Sequence, residues 1–258
     1  MHRKEFIQQL WLDYIHAHPD LGALTLWPNA EQAEYMALLT LNVGEFSAKT
    51  LSPFLAQMGY QLVSRYAMAD KGLLIHLWSP QDNGSWLIVA ELQIGTLPKG
   101  PREELTRLIY QPGVTEDNTA KGVTLFCHGR PWPMPTWSLH EELLETHPLA
   151  AWLATMGPRL HHAGFNCHTL GQPLHDIDQQ LNECGMARAC VDQNGIFPVS
   201  SLLEHRFYPT NAQKMVFAEG DEHRVSFGGL ALVQKRVEDN HEPIACQLLP
   251  HHTRCEVT

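Results

Sequence analysis

At 258 residues, 44% of them hydrophobic and 18% charged, the chain can bury a sizeable core and has the make-up of a globular protein. A formal net charge of −10, with no basic block, excludes non-specific binding to nucleic acid or an anionic membrane surface. No apolar run approaches the roughly 20 residues of a membrane span, and the six cysteines include no CxxC pair, which points to reduced thiols in a cytoplasm rather than a zinc site.

The opening stretch MHRKEFIQQLWLDYIHAHPD places charge and amide among its apolar positions, as an amphipathic helix over 4–18 does and a signal peptide does not. EYMALLTLNV, 34–43, is short and apolar, the pattern of a buried strand. Ser47 or Thr50 caps a helix through TLSPFLAQMGY, and Gly59 ends it. Three strands follow at 61–69, 72–80 and 85–94, with QDNG as the turn between the last two. The order is β-α-β-β-β.

Residues 95–159 differ. They are rich in proline and contain helical segments at 101–110 and 138–156, the second with Ser138 and Glu141 spaced as a capping box. The first order then returns: a strand at 160–170, a helix at 176–186, and strands at ARACVD, SSLLEHRFY and RVSFGGLALVQKR. GLLIHLW and SLLEHRF match locally, each with a histidine, His76 and His205, after a leucine pair. The prediction is an α+β fold in one domain. Modules at about 34–94 and 160–236 enclose a cavity, and the helical segment between them packs outside.

Sixteen histidines invite a metal reading. Three of them, His161, His162 and His168, fall within GPRLHHAGFNCHTL. Strand alternation puts His162 and His168 on one face and His161 on the other. His16 and His18, near one end, read as solvated, and Cys167 and Cys190 as core filling. There is no G-x-S-x-G elbow, Walker loop or G-x-G-x-x-G fingerprint.

FIQQLWLDY, PFLAQMGYQLVSRY, VAEL and RPWPMPTWSLHEELLETHPLAAWLATMG, in this order and spacing, resemble the short members of the 2-oxoadipate dioxygenase/decarboxylase family. That family has the paired modules of the vicinal-oxygen-chelate proteins. The resemblance implies a non-haem Fe(II) site of two histidines and a carboxylate, open to a 2-oxo acid and dioxygen. It assigns the second histidine to His162. Tyr35 stands where the first histidine is expected, Leu39 where a substrate-binding arginine is expected, and Leu232 where the carboxylate is expected. One ligand of three remains, so Fe(II) well below one equivalent is expected. Glu91 lies on the last strand of module one, a position that carries a metal ligand in some vicinal-oxygen-chelate proteins, and for it the plainer reading is a buried acid hydrogen-bonded to backbone or to a neighbouring arginine. Tyr35, Glu91, His162 and His168 are the candidate metal ligands. Three functions stay open: a divergent relative with an impaired metal site and a cavity for a small carboxylic acid; an active metal-dependent dioxygenase or decarboxylase with a rearranged ligand set; and a scaffold for a partner protein.

Overall fold

The computed structural model describes residues 2–18, 33–111, 122–183, 196–198, 203–225 and 228–236. ARACVD, Gly185, Cys190 and the tail from 237 lie outside the described residues.

Helix α1 (Arg3–Ala17) leads into strand β1 (Tyr35–Leu41), and the first module continues with α2 (Ala48–Gln57), β2 (Tyr60–Met68), β3 (Leu73–Pro80) and β4 (Trp86–Leu92). Ser47 caps α2 by accepting the Thr50 N–H, and Gly59 leaves it with φ 85°, as expected of the glycine after a helix. Asp82 closes the β3–β4 turn by accepting the Gly84 N–H.

The connecting segment holds α3 (Lys99–Ile109), the short α4 (Leu125–His128), α5 (Trp137–Thr146) and α6 (Pro148–Met156). The single helix expected over 138–156 is two. Pro148 cannot continue α5, and its fixed φ suits the first position of α6. The cap of α5 is Thr136, which accepts the Leu139 N–H, so Ser138 is already inside the helix. The segment is not wholly an outer layer either. Residues Leu149–Met156 are all buried, so α6 is apolar all round because it lies inside the fold.

Module two runs β5 (Arg159–Asn166), α7 (Leu174–Glu183), β6 (Phe197–Pro198), β7 (Leu203–Pro209), β8 (Gln213–Val216), β9 (Glu222–Val225) and β10 (Gly229–Lys235). The run RVSFGGLALVQKR therefore divides. Its start belongs to β9, which pairs only with β8 in a separate two-stranded ribbon.

The main sheet has the order β2-β3-β4-β1-β5-β10-β7-β6 and is open at β2 and β6. Its centre is the antiparallel pair β1–β5. On either side lies a parallel pair, β1–β4 and β5–β10, and then an antiparallel one. The two halves mirror each other strand for strand, with the β8–β9 ribbon as the addition in the second. A side-chain detail repeats as well. Glu91 Oε1 accepts the N–H of Ala48, the first residue of α2, and Gln234 Oε1 accepts the N–H of Leu174, the first residue of α7. In each module the last strand thus supplies an oxygen to the orphan donors at the helix start.

The histidine match between the modules is out of register by one. His76 pairs with Val89 and His205 with Val233, whereas Ala90 and Val233 are the equivalents once Glu91 is set on Gln234. None of the described helices is long and apolar enough to cross a membrane.

Candidate functional site

Alternation along paired strands sorts the side chains into two faces. Met36, Ala163 and Phe165 face α1, where Trp11 meets the Phe165 ring edge-on at 5.6 Å. Tyr35, Ala37, His162 and Gly164 share the inner face, with Gly229 and Ala231 of β10 and Phe207 of β7 beside them.

His161 departs from the alternation. The β1–β5 register jumps from Ala37↔His162 to Leu38↔Leu160, so His161 is the extra residue of a β-bulge. The bulge turns its side chain towards the inner face, and His161 Nδ1 lies 2.8 Å from His162 Nδ1. One imidazole donates and the other accepts. The expectation that the two point to opposite faces is thereby corrected, since the alternation holds only for an unbulged strand.

Two glycines and one tyrosine from distant parts of the chain hold the bulge. The Tyr14 hydroxyl of α1 lies 2.7 Å from the carbonyl oxygens of His161 and Gly229 and accepts the Gly229 N–H at 2.7 Å. Gly228 has φ 86°, and a Cβ there would stand 2.2 Å from the His161 carbonyl oxygen.

Aromatic rings enclose the two imidazoles. The Tyr35 ring meets His162 edge-on at 5.8 Å and lies over Gly164, where a Cβ would fall 2.0 Å from the ring. Phe207 meets His162 edge-on at 5.6 Å and lies over Gly229 in the same way, with a notional Cβ 2.4 Å from its ring. Trp152 of α6 packs against His161 at 5.3 Å. The three side chains around the imidazole pair come from different elements, and Tyr35, Trp152, His161, His162 and Phe207 are all buried.

Of the four candidate ligands, the structure brings together Tyr35 and His162. Glu91 is opposite Thr40 on β1, five residues from Tyr35, and so roughly 16 Å away at about 3.3 Å per residue. It also points to the other face. Its carboxylate accepts the Ala48 N–H at 2.7 Å and the Gln93 amide at 2.8 Å, and stands 3.8 Å from His76 Nε2. Burial alone would raise the Glu91 pKa, but His76, Ala48 and Gln93 together hold it below the usual carboxylate value. His168 lies beyond the end of β5, exposed, its N–H donating to Asn166 Oδ1. The strand expected to 170 stops at Asn166, so His168 never shares the face of His162.

Leu232 pairs with Phe165 and Arg206, which places it on the outer face. The β10 residue beside Tyr35 and His162 is Ala231, in register with Gly164. Counting back from Arg236 misses by one, and one residue is a change of face. Among the described residues no three His, Cys, Asp or Glu side chains converge as a metal centre needs. Two imidazoles bonded to each other, a phenol and Ala231 do not fit a facial set of two histidines and a carboxylate. His18, expected in solvent, is buried with its ring 4.6 Å from that of Tyr14. Cys167 is buried, as expected.

Sequence reasoning placed His161 on the wrong face and did not single out Tyr14, Trp152 or Phe207. The doubled histidine was the signal available for the pair. Nothing local marks the other three.

No family model and no curated protein matches the chain. Solved structures do match in fold. A candidate hydrolase from Shewanella frigidimarina NCIMB 400 superposes with a TM-score of 0.79 at 21% identity, over 93% of this chain and 94% of that one. Hydroxyglutarate synthase from Oryza sativa, in complex with 2-oxoadipate, gives 0.74 at 18% identity, over 89% and 79%. A candidate glyoxalase-superfamily protein from Ralstonia eutropha JMP134 gives 0.67 at 16%, over 90% and 83%. The chain thus has a vicinal-oxygen-chelate-like fold.

Proposed function

We propose that the inner face around His161 and His162 binds a small carboxylic acid, and that the chain is a divergent relative of the 2-oxo acid dioxygenases with an impaired metal site. The observation that carries this reading is the imidazole pair, 2.8 Å apart, on a face otherwise lined by Tyr35, Phe207, Ala37 and Ala231. An acid entering an apolar enclosure needs a counter-charge and a hydrogen-bond donor. The pair supplies both. Its Nδ1 atoms share one proton, and a further proton makes one ring cationic. A bound carboxylate favours the cationic form of the pair.

Ala231 and Leu39 offer neither the carboxylate that would balance Fe(II) nor the arginine that would clamp a substrate acid. Iron at substoichiometric level is the expectation that follows. The Oryza sativa hydroxyglutarate synthase is in complex with 2-oxoadipate, which makes that diacid the first ligand to try.

The test has two parts. Protein purified from iron-supplemented medium is expected to hold far less than one equivalent of Fe, Mn or Zn. 2-Oxoadipate is expected to raise its melting temperature, and His162→Gln to abolish the rise. Near-stoichiometric metal that is lost on His162→Ala overturns the impaired site. The absence of any response to 2-oxoadipate or shorter 2-oxo acids overturns the acid site.

A further inference from the structure

On the opposite side of β1 lies a cavity of about 640 Å³, between the first half of α1, the start of β1 and the β3–β4 turn. Small-molecule sites commonly enclose about 300–1,000 Å³. Ile7, Trp11 and Met36 make its apolar wall, and Lys4, Gln8 and Asn83 are among its polar residues. The wall is fixed in place. Trp11 meets Phe165 edge-on at 5.6 Å and stacks on Tyr14 at 6.2 Å. Arg3 and Asp82 also line the cavity but neutralise each other as an ion pair, with Arg3 lying 5.7 Å over the Tyr60 ring. Lys4 makes no ion pair among the described residues, and Gln8 is one turn further along the same face. In a chain of net charge −10 this leaves a positive charge, without an ion pair among the described residues, beside an aromatic and thioether surface.

We infer that this cavity binds a small amphipathic acid, an aromatic or medium-chain monocarboxylate. Its apolar body rests on Trp11 and Met36, and its carboxylate meets the Lys4 ammonium with the Gln8 amide as a second donor. The site shares no side chain with the imidazole pair. Met36 and Tyr35 are consecutive on β1 and point to opposite faces, so the two sites lie back to back across one strand.

The experiment is a thermal-shift and tryptophan-fluorescence titration of the full chain with octanoate and 3-phenylpropionate, with octanamide as the uncharged control. Both acids should give a saturable response, stronger than octanamide does. Lys4→Ala, an exposed change, should weaken the acids by about three- to fivefold, the size of an exposed ion pair, and leave octanamide unchanged. Met36→Trp, which fills the cavity, should remove all three responses. Trp11→Phe should remove most of the fluorescence change if the larger side chain at Met36 prevents folding. His162→Gln should leave octanoate binding intact, which separates this site from the inner face. Equal responses to octanoate and octanamide, or octanoate binding untouched by Lys4→Ala, overturn the assignment, as does the absence of saturation in the wild-type protein.

Discussion

Replacing Tyr14 with phenylalanine removes one oxygen from the place where β5 and β10 are held around the bulge. The hydroxyl accepts the Gly229 N–H and donates its proton to one of the two carbonyl oxygens 2.7 Å away, those of His161 and Gly229. The variant keeps the ring contacts with Trp11 and His18. It leaves two buried backbone groups short of a partner at a time, each worth about 1–3 kcal/mol. The expected loss is about 2–6 kcal/mol, a large share of the roughly 5–15 kcal/mol that stabilises a typical domain. Urea unfolding measures it, as a lower midpoint at unchanged slope. The imidazole nitrogen resonances of His161 and His162 should shift as well, because the bulge sets their 2.8 Å approach. A loss under about 0.5 kcal/mol, with those resonances unmoved, would refute the view that Tyr14 holds the bulge.

Gly228→Ala should destabilise by about 2 kcal/mol or more, since it combines a positive φ with a Cβ 2.2 Å from the His161 carbonyl oxygen; wild-type stability in the same unfolding assay would contradict this. Gly164→Ala should displace the Tyr35 ring and change its NMR chemical shifts, because a Cβ there would fall 2.0 Å from the ring; unchanged Tyr35 shifts would count against the placement. Glu91 is held below its ordinary pKa, so its contribution to stability is present above the unfolded value near about 4.3 and lost as pH falls through the lower folded value. Glu91→Gln should therefore flatten the stability curve below about pH 4.5, without changing metal content; an acid limb as steep as that of the wild type would contradict the assignment. For metal binding, Tyr35→His with Ala231→Glu should create Fe(II) affinity by completing a set with His162, whereas Tyr35→His with Leu232→Glu should not. Iron bound by the second pair and not the first would reverse the face assignment.

The order of elements in module one, and the strand and helix that open module two, were legible in the sequence because each step has a local signal: apolar runs for the strands, Ser47 and Gly59 for one helix, Asp82 and Gly84 for one turn. The break at Pro148 was missed, although the proline itself marked it. The β8–β9 ribbon was not, because its strands are four residues each with no apolar run to mark them. The bulge was out of reach for a different reason. Its supports, Tyr14 and Gly228, lie 147 residues before and 67 after His161, and no spacing within GPRLHHAGFNCHTL reports them. The face assignment at Leu232 failed through a count that could not detect a shift of one, and Glu91, chosen for its strand alone, lies on the other face from Tyr35. Of the two plainer readings of Glu91, a buried acid bonded to backbone or to an arginine, the backbone bond is the one found, with Gln93 and His76 beside it.

The most direct test of an acid site that works without iron is isothermal titration of 2-oxoadipate into chelator-treated protein, wild type against His162→Gln. The account predicts saturable binding to the metal-free wild type and none to the variant. Binding that appears only after Fe(II) is restored, at one equivalent per chain, would contradict it.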